Sequence, residues 1–261
     1  DLAKGPLDAA ALVLEARESE PSYLLWQKFV LRPDAQPGLY DVFKAVPKPS
    51  LWSEADRYPR ANESEEAELS KSFTALALMD SASAATQLIA LEAQHGKRRD
   101  TVWAGLGKAP LAQALLPLVT IAHAALKPTV GGSVAHQAHT WAQEGWAVDA
   151  AALQALAIAQ EADCLAQVGP ALAAVYRPWL QRSAESFQQR VAAEGFPAKS
   201  IDAVPDGTVV VFVDGLRLDL ARQLEATLQG AGLAVDLQHR FTSVPSVTSS
   251  GKVWCSPGYA S

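Results

Sequence analysis

The chain has 261 residues, 49% of them hydrophobic and 19% charged, with a formal net charge of −6. That apolar content excludes a wholly disordered chain, and the length suits one large domain or two small ones. An acid surplus is ill suited to coating DNA, which relies on phosphate neutralisation by Lys and Arg.

Of 49 alanines, 43 fall in residues 1–200 and 6 in the rest. Alanine is the best helix former, so the split predicts a helical first part and a different last part. Residues 7–18 (LDAAALVLEARE) form a short amphipathic run. Pro21 fits the first turn of a helix through YLLWQKFV, where its missing N–H is not needed. Pro33, Pro37, Pro47, Pro49 and Pro59 then exclude a long regular helix over 32–64. Trp52 and Tyr58 anchor this stretch either to a core or to a partner.

Asn62 with Glu65 has the spacing of a capping box, opening a periodic run over 65–94. The run closes at His95-Gly96, and Lys97, Arg98 and Arg99 follow. Cations suit the end of a helix dipole; a phosphate-binding patch is the alternative. Further helices are predicted at 109–125, 133–144, 149–167, 170–176 and 179–194. Pro117 should kink the first of these, and Asp149 should cap the third. Trp26, Trp103, Trp141, Trp146 and Trp179 lie within helical patterns and read as packing residues. Gly195 and Pro197 close the helical part.

The last sixty residues read differently. Thr208–Val213 (TVVVFV) is an unalternated β-branched and aromatic run, which suits a strand buried on both faces of a parallel sheet. Residues 217–229 are helically periodic, Gly230 and Gly232 stop them, and LAVDLQ follows as a second strand. The expected fold is thus an α-helical domain followed by the beginning of an α/β domain with a mostly parallel sheet. The expected divisions are 1–64 (helical and Pro-rich), 65–200 (helical) and 201–261 (α/β).

Ligands of open α/β sheets bind beyond the carboxyl ends of strands, and Asp214 stands there, followed by Gly215 for a tight turn. A carboxylate in that place suits a divalent cation; a turn or capping role is the alternative. After the second strand come Ser246, Thr248, Ser249 and Ser250, candidate nucleophiles or hydroxyl ligands. A hydroxyl needs a base or a metal, and His239 is the one histidine nearby in sequence. His136 and His139, three apart on a helix, read as a solvated face. Cys164 and Cys255 have no C-x-x-C partner and read as packed thiols, in keeping with a reducing compartment. No uncharged run of about 18 apolar residues suggests a membrane span. With no basic-then-apolar leader in the opening DLAKGPLDAA, a cytoplasmic location is expected.

The segments VVVFVDGLRLDLA at 209–221 and VPSVTSSGK at 244–252 together resemble the PglZ family of the alkaline phosphatase superfamily. HGKRRDTVWAGLG at 95–107 and VYRPWLQRSAESFQ at 175–188 are similar to the helical region that precedes that domain. The resemblance implies an alkaline-phosphatase-like sheet, with Asp214 as a ligand of a divalent metal, zinc or manganese. It implies Thr248 as both metal ligand and nucleophile, in a site that holds two metals when complete. Arg217 and Lys252 are candidate contacts to an acidic substrate group, Arg217 alternatively forming an internal salt bridge with Asp219. The family's other ligands lie further along than Ser261, and the chain lacks an initiating Met. It therefore reads as a piece of a metal-dependent phosphatase or phosphodiesterase subunit, inactive alone. The resemblance also implies a bacterial phage-defence system of the BREX or phage-growth-limitation kind. Its partners would be a methyltransferase and ATPases, with a phosphorylated or nucleic-acid substrate. The alternative is a scaffold subunit without catalysis.

Overall fold

The structure, a computed structural model, describes residues 5–47, 55–196, 207–241 and 247–255. The chain divides into two compact units: Asp1–Lys127 with Ala151–Trp179, and Pro128–Ala150 with Leu180–Ser261.

In the first unit α1 (Pro6–Leu14) and α2 (Pro21–Leu31) each open on a proline, as their sequences predict. With α3 (Leu39–Ala45) they close over an aromatic cluster of Trp26, Phe29, Phe43, Tyr58 and Trp103. Trp103 comes from the short helix α6 (Val102–Gly105). Its ring lies 6.1 Å from Trp26, 5.9 Å from Phe29 and 5.7 Å from Tyr40, centroid to centroid. Its indole N–H donates to the Asp56 carbonyl at 2.8 Å, so the polar end of the buried ring is satisfied. Tyr58 is therefore a core anchor, whereas Trp52 lies outside the described residues.

α4 (Pro59–Leu76) starts at Pro59, ahead of the expected cap at Asn62. Asn62 is spent differently: its amide donates to the Lys108 carbonyl at 2.6 Å and its Oδ1 accepts from Arg98 at 2.7 Å. The predicted single run over 65–94 is two helices. Asp80 interrupts it and caps α5 (Ser81–His95), accepting from the Ala82 and Ser83 N–H groups at 3.0 Å each. Bonds from Ser83, side chain foremost, hold the Asp80 carboxyl below its ordinary 3.8. A carboxyl lowered on folding stabilises the fold fully above its unfolded value, and that contribution fades as pH falls through the folded one. Asp80→Asn keeps an acceptor but cannot titrate. Acid denaturation of the variant should lose this part of the decline below about pH 4. Superimposable acid limbs for the two proteins would contradict this role for Asp80.

α7 (Pro110–Leu126) packs along α5, burying Ala84, Leu88 and Leu91 together with Leu111, Leu115, Leu118 and Ile121. Pro117 is buried inside it. α9 spans Trp146–Glu161, so Asp149 sits in its first turn instead of capping it. The expected continuation to residue 167 fails at Asp163, whose φ of 51° is left-handed. Asp tolerates that region better than most residues, and the Cys164 N–H closes the end on the Ala159 carbonyl at 2.8 Å. α10 then runs unbroken over Leu165–Glu194, although two helices are predicted there. Pro170 and Pro178 each forfeit one hydrogen bond, while buried Val168, Ala171, Leu172 and Val175 hold the helix together around the first of them.

In the second unit α8 (Val134–Thr140) is capped by the Ser133 hydroxyl, which accepts from the His136 N–H at 3.1 Å. The Glu194 carboxylate accepts from the Val134 N–H at 3.0 Å. A wide π turn over Trp141–Gly145 follows. Any side chain at Gly145 would meet the Trp141 ring, its Cβ coming within 2.8 Å of it. α11 (Leu218–Gly230) and α12 (Thr248–Cys255) complete the unit.

The expected α/β domain with a mostly parallel sheet is not formed: among the described residues there is no strand. The helix predicted at 217–229 is present as α11, but residues 208–213 and 233–238 carry no regular structure. Val209 is 86% exposed and Val211 79%. The apolar run that suggested a strand is real; what fails is its burial. Two parallel strands cannot cover both of their faces or satisfy their outer backbone groups without further layers. Among the described residues no helix is long and apolar enough to cross a membrane.

Candidate functional site

Asp214 and Gly215 form a turn between the irregular segment 208–213 and α11. Gly215 has a φ of +69°, a left-handed conformation that favours glycine, so the tight turn read from the sequence is present. Asp214 is exposed. Arg217 stands at the helix start with its Nε 3.0 Å from Asp219 Oδ1, and Asp219 is only 3% exposed. A carboxylate in the first turn suits the helix dipole, and the guanidinium compensates its burial. The salt bridge is thus the reading of Arg217 that the geometry favours over a substrate contact.

Thr248 is the first residue of α12 and is exposed, as is Ser249. The Ser250 hydroxyl donates to the Val247 carbonyl at 3.3 Å, tightening the first helical turn. Ser246 lies outside the described residues, as do the side chains of Lys252 and Cys255. No hydrogen bond or ion pair joins Asp214 to Thr248 among the described residues. Nor, among the described residues, does any group of three or more His, Cys, Asp or Glu side chains gather in a metal-binding arrangement. A carboxylate and a hydroxyl are oxygen donors suited to a hard divalent cation. Two donors fall short of the three protein ligands that catalytic zinc usually has, so these residues alone do not make a complete metal site.

His239, the expected neighbour of the hydroxyl loop, has a different companion. Its ring lies 6.0 Å from that of His139, centroid to centroid. The same region is tied down by Arg222, whose Nη2 donates to the Ala142 carbonyl in the π turn at 2.9 Å. Its Nη1 pairs with Glu225 at 2.8 Å. Phe241 packs edge-on against Phe196 at 5.4 Å. Sequence spacing pairs His139 with His136 on one helix and gives no sign of a partner so far along the chain.

Two residues of the basic triplet 97–99 are consumed within the first unit. Arg98 is buried, with Nη2 2.7 Å from Glu66 Oε1 and Nε 3.1 Å from Glu65 Oε2. Glu66 also accepts from the Leu111 N–H at 2.9 Å and the Ala112 N–H at 3.3 Å, at the start of α7. Arg99 forms a two-pronged pair with Glu92. Lys97 alone of the three is exposed, so the phosphate-patch alternative has little to stand on. Cys164 is buried, and burial first, then the Glu66 charge, pushes its thiol up, away from the reactive thiolate. Comparison of the chain with protein-family models, curated proteins and solved structures finds no match to any of them.

Proposed function

We propose that the chain is part of a metal-dependent phosphatase- or phosphodiesterase-like subunit of a bacterial phage-defence system, working in the cytoplasm. Its helical body would serve to hold the neighbouring subunits, a methyltransferase and ATPases. The observation that carries this reading is the pairing of D-G-L-R-L-D at 214–219 with P-S-V-T at 245–248 in one chain. Two features support it. Asp214 is held outward by a glycine turn, and Thr248 is exposed at the first residue of a helix. A helix start favours negative charge, on a reacting hydroxyl or on a phosphoryl group beside it.

In this reading Asp214 and Thr248 supply two oxygen ligands of the cation. A bound divalent cation would supply charge stabilisation to phosphoryl oxygens. Thr248 would attack phosphorus in line with the departing ester oxygen, and water would then release phosphate from the threonine. Arg217 would act by fixing the 214–219 loop through Asp219. The substrate is a phosphate ester.

The test is turnover of an aryl phosphate or phosphodiester by the longer subunit, with its metal content measured. Thr248→Ala should abolish turnover and leave the fold unchanged by circular dichroism. Asp214→Ala should lower bound zinc or manganese. The 261-residue chain alone should be inactive. Undiminished turnover in Thr248→Ala rejects the assignment.

A second reading, an interaction subunit without catalysis, is favoured by the exposed leucines of α2. Leu24 and Leu31 lie on the side away from Trp26 and Phe29, at 59% and 79% exposure. Absence of both turnover and metal from the longer subunit would favour this reading.

A further inference from the structure

We infer that His139 and His239 form a two-histidine site for a borderline divalent cation such as Zn²⁺ or Ni²⁺. The site lies between α8 and the segment that follows α11, and it is independent of Asp214, Thr248 and the phosphatase reading. Both rings are exposed, so a hydrated ion can reach them. Neither ring has a hydrogen bond or an ion pair among the described residues, so neither is committed elsewhere.

The spacing suits a shared ion. Zinc–nitrogen bonds of about 2.0–2.1 Å put each ring centre roughly 3.2 Å from the metal, so two rings on one ion span about 5–6.4 Å. The observed separation is 6.0 Å, with the ring planes at 46°. A small side-chain rotation, open to exposed rings, closes it to a tetrahedral angle. His136 is engaged elsewhere, its ring packing beside Gly132, 2.8 Å from where a Cβ there would stand. The two histidines are also presented by separately anchored chain. α8 is fixed at its start by Ser133 and Glu194, and α11, just before the His239 segment, by Arg222 on the Ala142 carbonyl. The ion would therefore find both ligands near their final positions, and ordering entropy would be small.

Two imidazoles leave two or more positions to water or to an anion. They also select among cations: imidazole suits zinc, nickel and copper, whereas magnesium and calcium want oxygen. Binding would join the 233–241 segment to α8 and stabilise the unit in proportion to occupancy.

The experiment is calorimetric titration of the 261-residue chain with ZnCl₂ and, in parallel, MgCl₂, followed by hydrogen exchange over 233–241. The expected result is saturable binding of one Zn²⁺, no binding of Mg²⁺, and added protection of that segment when zinc is present. His139→Ala and His239→Ala should each weaken zinc binding by at least about tenfold, the smaller end of what outer-shell partners of metal ligands already give. Both residues are exposed, so the variants should fold normally. His136→Ala should leave binding unchanged. The inference is overturned by absence of zinc binding at about millimolar metal, or by retention of binding in either the His139 or the His239 variant. Loss of binding in the His136 variant would overturn it as well.

Discussion

Arg98→Ala is expected to destabilise the first unit by about 3–5 kcal/mol, the cost of removing one partner of a buried ion pair. The guanidinium joins three residues at once. It pairs with Glu65 and Glu66 on α4, and it donates to both the side-chain and backbone oxygens of Asn62. Glu66 in turn holds the first N–H groups of α7. Without Arg98 a largely buried carboxylate keeps its backbone donors but loses its counter-charge, so the start of α7 loosens with it. Arg98→Lys should recover only part of the loss, because an ammonium cannot form the fork that reaches Glu65, Glu66 and Asn62 together. Urea denaturation of the two variants and the parent chain measures this. A change under about 1 kcal/mol for Arg98→Ala would show that the pair contributes no more than an exposed one.

Trp103→Ala should have a similar cost, about 3–5 kcal/mol, by a different route. The indole is 1% exposed and sits against Trp26, Phe29 and Tyr40. Its removal opens a cavity among rings from α2 and α3, and leaves the Asp56 carbonyl without its donor. For a chain of this size the melting temperature should fall on the order of 10 °C. Trp103→Phe keeps most of the ring contacts and loses the hydrogen bond, so its cost should be smaller, about 1–2 kcal/mol. Because α1 and α2 owe their burial to this cluster, limited proteolysis of Trp103→Ala should cut first within residues 5–47. Cleavage elsewhere, with those residues intact, would contradict the role given to Trp103.

The contrast between these two sites and the C-terminal part shows what the sequence makes legible. Local rules hold where local physics decides. Pro6, Pro21 and Pro110 stand in the first turn of helices, and Gly215 and Gly232 have the positive φ that their turns require. They fail where long-range packing overrides them. Pro170 and Pro178 look like helix ends but lie inside α10, and Asn62 looks like a cap but serves as a ligand of Arg98. Val209–Val213 has strand composition, yet all five residues stay exposed, and composition alone cannot supply a covering layer.

The candidate site follows the same division. The Arg217–Asp219 bond is a two-residue interaction and is readable from spacing. Lys97, Arg98 and Arg99 read as one patch, while the fold assigns Arg98 and Arg99 to different carboxylates and leaves Lys97 in solvent. The approach of His239 to His139 depends on how α11 docks on the π turn, which no periodicity encodes.

The functional proposal rests on Thr248 as a phosphoryl acceptor. Its most direct test is acid quenching of the longer subunit during turnover of a phosphate ester, with the phosphorylated residue located by peptide mass spectrometry. The proposal predicts a phosphoryl group on Thr248 that is absent from Thr248→Ala and lost when metal is removed. Steady turnover with no phosphoryl group on the peptide containing Thr248, or with the group on another residue, would contradict it.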